Sequence, residues 1–262
     1  MISADPEPPC PSSLGQGLDP DWGFIHSEQT GSALDGPGLR TVFWLTGCGF
    51  RCVYCHNPDT WKLHAGRRVH ADDLVAELAK YASFMARSKG GVTVSGGEPL
   101  VQHGFCMNVL RRLHALGIHT ALDTNGFLGD RLSDADLQAI DLVILDLKSW
   151  DDRTHLRVTG QHPDPVFRFA RRLRDLARPT WVRFVLVPGH TDDPSNVEGL
   201  ARFCSELTNV ERVEVLPFHQ LGRFKWHELG VPYALENVEP PSAASVAGVR
   251  DTFRRHGLAC PE

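Results

Sequence analysis

The sequence predicts an α/β fold, a barrel or part of one, with parallel strands inside and helices outside. Two observations carry this. Apolar, β-branched-rich runs over residues 40–45, 91–94, 118–122, 142–147, 181–187 and 212–216 alternate with helical patterns. Strands that alternate with helices pair in parallel through crossover connections. The unusual residues also fall where those runs end. A loop holding Cys48, Cys52 and Cys55 follows the first run, Ser95-Gly96-Gly97-Glu98-Pro99 the second and Asp123-Thr124-Asn125-Gly126 the third. Asp146-Leu147-Lys148 ends the fourth, Pro188-Gly189-His190 follows the fifth and Pro217-Phe218-His219 the sixth. In an α/β barrel these ends share one face, the face that carries active sites. A turn explains any one of the six signals, but not all of them together.

Along the chain, residues 1–21 hold five prolines and few bulky apolar groups. They read as a flexible N-terminal extension that cannot repay its own ordering entropy. Residues 22–262 read as one domain, without a repeat or a second shift in composition. After the first strand and its cysteine loop, residues 71–86 show the helical mechanism most plainly. Leu74, Val75, Leu78, Ala79 and Ala82 recur at helical spacing, and Asp72 and Asp73 sit in the electropositive first turn. Further helices are expected over 104–116, 134–140, 166–177 and 196–207, each between two strands, and a last amphipathic one over 242–256.

Composition narrows the classes of function. A chain of 262 residues with 42% hydrophobic and 23% charged residues can bury a large core without staples. A net charge of −5 with scattered arginines leaves no electrostatic footprint for nucleic acid, and Arg171-Arg172-Leu173-Arg174 reads as a solvated helix face. No apolar run is long enough for a membrane span, and the N-terminus lacks a signal-peptide pattern. Seven cysteines, three of them within eight residues, fit a metal or cluster site in a reducing cytoplasm better than a disulfide framework. Cys10, Cys106, Cys204 and Cys260 show no mutual ligand spacing and read as small buried or bystander residues.

The cysteine loop itself leaves alternatives open. Its C-x3-C-x2-C spacing offers three thiolates to a group that takes four ligands. Zinc closes its tetrahedron with a fourth protein ligand, and a [4Fe–4S] cluster takes four cysteines. Three on one loop would leave one iron of a cubane open. A zinc-stabilised binding protein using Cys48, Cys52, Cys55 and His56 is the reading from another class, but adjacent Cys55 and His56 strain a single tetrahedron.

Cys48, Cys52 and Cys55 after the first strand, with Tyr54 before the last cysteine and Gly96-Gly97-Glu98 after the second strand, resemble the radical S-adenosylmethionine superfamily. The likeness reaches further, through Asp35-Gly36-Pro37-Gly38-Leu39-Arg40, Tyr54-Cys55-His56-Asn57-Pro58, Leu122-Asp123-Thr124-Asn125-Gly126, Leu145-Asp146-Leu147-Lys148, Val187-Pro188-Gly189 and Leu216-Pro217-Phe218-His219. These segments resemble the glycyl-radical enzyme activases, in particular the branch that acts on pyruvate formate-lyase. The likeness runs in order from about residue 23 to the C-terminus.

That resemblance implies a partial (β/α)6 barrel and one [4Fe–4S] cluster held by Cys48, Cys52 and Cys55, whose open iron chelates S-adenosylmethionine. It implies reductive cleavage to methionine and a 5′-deoxyadenosyl radical, which takes a hydrogen atom from a backbone glycine of pyruvate formate-lyase. Tyr54, His56, Gly97, Asp146, Lys148 and His219 would line the S-adenosylmethionine site. Asp123, Thr124 and Asp146 would offer oxygens to a monovalent cation, Asp35 would face the partner's glycine loop, and Arg183 would lie near the cofactor. A flavodoxin or ferredoxin would supply the electron. Many related activases carry extra cysteine clusters after the first motif; residues 57–91 contain no cysteine, so one cluster is expected. The alternative within the superfamily is action on another glycyl radical enzyme or on a small molecule.

Overall fold

A computed structural model describes residues 13–262. Its strands are β1 (Trp22–Ser32), β2 (Arg40–Leu45), β3 (Arg67–His70), β4 (Gly91–Gly96), β5 (His119–Thr124), β6 (Leu142–Asp146), β7 (Thr180–Leu186) and β8 (Val210–Pro217). Among the described residues they form one sheet in the order β3-β1-β2-β4-β5-β6-β7-β8. From β2 to β8 every pairing is parallel, whereas β1 pairs antiparallel with both β2 and β3. All six expected strands are therefore present in sequence order as a partial barrel. The antiparallel pair β1 and β3 extends it beyond β2.

The helices are α1 (Ala71–Ala79), α2 (Ala82–Arg87), α3 (His103–Ala115), α4 (Asp134–Gln138), α5 (Asp152–Thr159), α6 (Asp164–Asp175), α7 (Pro194–Ser205), α8 (Arg223–Glu228) and α9 (Ala243–Arg255). The single helix expected over 71–86 is two. At Lys80 and Tyr81 the N–H groups turn to carbonyls three residues back, Glu77 and Leu78, and the helix breaks there. On α6, Val166, Phe167, Phe169, Ala170 and Leu173 are buried, while Arg172 and Arg174 pair with Asp134 and Asp175 at the surface. The arginine run is thus the polar side of an amphipathic helix.

The core has two parts because each strand alternates its side chains between faces. Outward residues such as Val94, Leu122, Leu145 and Phe184 join the main cluster with Leu110, Phe169 and Leu200 of the helices. A smaller inner cluster of Ala121, Leu142 and Ile144, with Trp181 against it, fills the barrel near its N-terminal end. Two residues further along each strand the inner face turns polar. Ala121 is followed by Asp123, Ile144 by Asp146 and Trp181 by Arg183. This change of layer creates the site.

The packed chain begins ahead of Trp22. Leu14 packs on the main core, Asn108 donates to the Pro20 carbonyl and the Asp21 carboxylate, and the Ala71 N–H donates to the Asp21 carbonyl. Of the stretch expected as a flexible extension, residues 13–21 thus lie against the domain, and residues 1–12, with Cys10, are outside the described residues. Cys106, Cys204 and Cys260 are buried and free, as expected of small apolar residues.

Candidate functional site

A cavity of about 310 Å³ opens at the C-terminal ends of the strands. Cys48, Cys52, Tyr54, Cys55 and His56 line it from the loop after β2, Gly97 from the loop after β4, and Asp123 from β5. Asp146, Lys148, Arg183 and His219 come from the later strands, and Asp35 from the β1–β2 loop. Of the residues expected from sequence, this places all but Thr124 around one space. Asp123 and Thr124 are neighbours on a strand, so their side chains point to opposite faces. The Thr124 hydroxyl faces away from the cavity, donates to Glu98 Oε1 at 2.8 Å and accepts from the Gly126 N–H.

The cysteine loop has little regular structure of its own and is held from several sides. The Gly47 and Cys48 N–H groups donate to the Thr60 and Trp61 carbonyls. Those of Arg51 and Val53 donate to the Thr159 and Val158 carbonyls, which are free because they end α5. From the other side Trp226 on α8 donates to the Cys55 carbonyl at 2.9 Å, and Lys225 to Asn57 Oδ1 at 2.8 Å. All three thiols are free. Burial pushes each thiol up, Cys52 to about 12.

Glycines in the β4 loop let it lie against this loop. A Cβ on Gly97 would stand 2.5 Å from the Gly47 carbonyl oxygen and 3.1 Å from Cys48 Cβ. Gly96 has φ +143° and its Cβ would meet the Leu45 carbonyl oxygen at 2.1 Å. The close approach that glycine permits here is thus to the cysteine loop, as well as to anything in the cavity.

Deeper in, charges are paired across strands. Lys148 Nζ donates to Asp146 Oδ2 at 2.6 Å. Burial alone would lower the ammonium's pKa, but Asp146, Tyr54 and Cys52 together hold it well above the usual lysine range. Arg183 reaches Glu214 at 3.0 Å, Asp123 at 3.3 Å and Asp35 at 3.6 Å, and donates to the Leu34 carbonyl. Burial pushes the Asp123 carboxyl up to about 6 despite Arg183 and the Ser95 hydroxyl. In the cavity wall three carboxylates, Asp35, Asp123 and Asp146, thus face Lys148 and Arg183, while Glu214 behind them is shared between Arg183 and Arg212, which leaves a small negative surplus for a ligand carrying positive charge. The His56 and His219 rings meet edge to face at 4.8 Å, and the buried Tyr54 hydroxyl has no protein partner.

Sequence reasoning named Ser95 and Asn125 within strand-end signals without giving them a role, and it missed Glu214, which reaches the site through Arg183. Their signal was a polar residue at an inward position of a strand or just after it, level with Asp123 and Arg183.

Residues 42–203 match the Radical SAM superfamily. The chain belongs to that superfamily. Over 231 residues, 86% of this chain and 92% of the relative, it is 45% identical to the pyruvate formate-lyase-activating enzyme of Staphylococcus epidermidis. A solved domain of pyruvate-formate lyase-activating enzyme from Bacteroides vulgatus aligns over 66% of this chain and 98% of that one, with 25% identity and a TM-score of 0.54. A radical SAM methyltransferase from Sphaerobacter thermophilus shares the fold at a TM-score of 0.62 and 19% identity, over 85% and 65% of the two chains.

Radical SAM membership implies a [4Fe–4S] cluster and S-adenosylmethionine, and the cavity suits both. Three free thiols border one space, which is the soft donor set an iron–sulfur cluster takes. Among the described residues no three His, Cys, Asp or Glu side chains are gathered so as to hold a single metal ion. A cubane binds each cysteine to a different iron and needs no such convergence. The unpartnered Tyr54 hydroxyl and the charged Lys148 offer donors to an adenosine and a carboxylate.

Proposed function

We propose that this protein activates pyruvate formate-lyase by installing a glycyl radical on it. The observation that carries the reading is the convergence of three free cysteines, Gly97 and the Asp146–Lys148 pair on one cavity. The chain that does this is 45% identical to a pyruvate formate-lyase-activating enzyme over nearly the whole of that relative. When bound, the cluster and S-adenosylmethionine supply a one-electron reductive cleavage to methionine and a 5′-deoxyadenosyl radical that takes a hydrogen atom from a backbone glycine.

The chain's own residues have separate tasks. Cys48, Cys52 and Cys55 hold the cluster on a loop anchored by α5 and α8. Lys148, kept charged by Asp146, is a compact donor for a carboxylate or ribose oxygen. Tyr54 would pack against the adenine, and His56, Gly97 and His219 would complete the wall of the S-adenosylmethionine site. A monovalent cation fits the surplus of negative charge, with Asp123 and Asp146 as its carboxylates. Thr124 serves it only indirectly, because its hydroxyl is engaged by Glu98. Arg183 anchors Asp35, and the loop bearing Asp35 faces the partner's glycine. The partner's loop reaches that point through an opening of the barrel mouth, since a protein cannot enter a closed one. A flavodoxin or ferredoxin is the electron donor. No helix among the described residues is long and apolar enough to cross a membrane.

The test is anaerobic. Reconstituted with iron and sulfide and then reduced, the protein should release 5′-deoxyadenosine and methionine from S-adenosylmethionine. A glycyl-radical resonance should appear when pyruvate formate-lyase is added. Absence of cleavage with a full cluster would refute the radical chemistry. Cleavage without a glycyl signal would refute the partner. Cys52→Ala should lose cluster and cleavage together.

A further inference from the structure

Asn125 stands just beyond β5, and only 7% of it is exposed. Its backbone N–H donates to Glu98 Oε2 at 2.9 Å, and its side-chain Oδ1 accepts the Phe127 N–H at 3.0 Å. The second bond fixes which end of the amide is which, since a backbone N–H needs an acceptor. The remaining end, Nδ2, faces Cys48 Sγ at 4.0 Å. The same sulfur takes the Phe50 N–H at 3.4 Å. Glu98 holds the assembly from below. Its carboxylate accepts from the Leu100 N–H, the Thr124 hydroxyl and the Asn125 N–H, and so ties the loop after β4 to the end of β5.

The turn at Asn125 needs only an oxygen for Phe127, which an aspartate would supply equally well. What asparagine adds is a donor aimed at a cysteine sulfur. Hydrogen bonds to cluster sulfurs stabilise the more negative, reduced state and raise the reduction potential. We propose that Asn125, positioned by Glu98, is a potential-setting residue that donates its side-chain amide to the Cys48 thiolate and makes the cluster easier to reduce. This rests on the assignment of Cys48 as a cluster ligand. It matters for the reaction because an external carrier has to deliver the electron.

The experiment uses the full chain, reconstituted anaerobically as wild type, Asn125→Asp and Asn125→Ala. Each is poised over a range of potentials, and reduced cluster is counted by electron paramagnetic resonance. Asn125→Asp keeps the turn acceptor but puts a carboxylate oxygen where the donor was. At the wild-type midpoint its reduced-to-oxidised ratio should fall about tenfold, which is 59 mV for a one-electron couple. Asn125→Ala should fall in the same direction by less. Wild-type midpoints in both, at wild-type iron content, overturn the proposal while leaving the cluster assignment intact. A wild type that takes up no cluster overturns both. If the variants lose their cluster, the wild type decides alone. With nitrogen-15 in the asparagine side chains, a nitrogen coupling on the reduced cluster is expected, and its absence overturns the proposal.

Discussion

Arg183 is the side chain on which the inner polar layer depends. It sits among Asp35, Asp123 and Glu214 from three other segments, and the pull of Asp123, Glu214 and Asp146 outweighs burial and raises its pKa further. Removing one partner of a buried charge cluster costs more than the pairing gains, because the remaining charges stay buried. Arg183→Gln should therefore lower unfolding stability by about 3 to 5 kcal/mol, read as a shift in denaturant midpoint. An unchanged midpoint would show that the carboxylates neutralise or hydrate without loss. Gly97 tests the cysteine loop instead. The Cβ of Gly97→Ala would stand 2.5 Å from the Gly47 oxygen, so backbone has to move. The cost should be roughly 1 to 3 kcal/mol, as for other overpacked sites. Iron and sulfide bound per chain after reconstitution should drop with it. Full iron content at wild-type stability would mean that the two loops need not touch.

At the scale of elements, α5 matters beyond its length of eight residues, because its last carbonyls hold the cysteine loop. His155 packs within that helix, almost fully buried. Its Nδ1 contacts the Gln161 carbonyl at 2.6 Å, which fixes the proton there, and its Nε2 has no partner. Burial lowers its pKa from the usual histidine range. A base whose pKa is lower in the fold leaves the unfolded chain binding more protons, so stability declines as pH falls through the unfolded value, about 6.5. Denaturant midpoints measured from pH 7.5 down to 5 should fall in wild type and fall less steeply in His155→Gln; parallel curves would sink the assignment. The sequence never singled out α5, because only four of its eight residues are buried and two of those are threonines. β1 was missed for a related reason. Its middle, from His26 to Thr30, is polar and mostly exposed, since it pairs outside the parallel sheet rather than within it. The six parallel strands were legible because burial on both faces demands unbroken apolar runs. Their C-terminal ends then located the site. Thr124, which the resemblance put beside Asp123, turns its hydroxyl to Glu98 instead, as strand alternation next to an inward Asp123 requires.

At the scale of the whole molecule, the parallel sheet runs from β2 to β8, and no pairing closes it among the described residues. The gap between those ends is not uniformly open. The C-terminal segment lies along the first half of β8, where the Ala259 carbonyl accepts the Val213 N–H. Beyond that half, Leu216 lines the cavity and remains partly exposed. Leu34 is 79% exposed on the β1–β2 loop, beside the Asp35 that enters the cavity. Phe224 is 56% exposed on α8, the helix that anchors the cysteine loop. Single exposed apolar side chains are ordinary on a protein surface, so it is their place on segments that flank the cavity, not their exposure, that makes Leu34 and Phe224 candidates for a partner contact. The glycine-bearing segment of the protein substrate is expected to meet Leu34 and Phe224 at this rim on its way to the cavity. Charging the rim then separates partner binding from chemistry. Leu34→Asp and Phe224→Asp should each raise the KM for pyruvate formate-lyase, by roughly tenfold if the residue is a buried anchor in the complex. Cleavage of S-adenosylmethionine without the partner should stay at the wild-type rate, because neither side chain lines the cavity. An equal loss of both activities would place the effect in the fold, and no loss of either would put the entry route elsewhere.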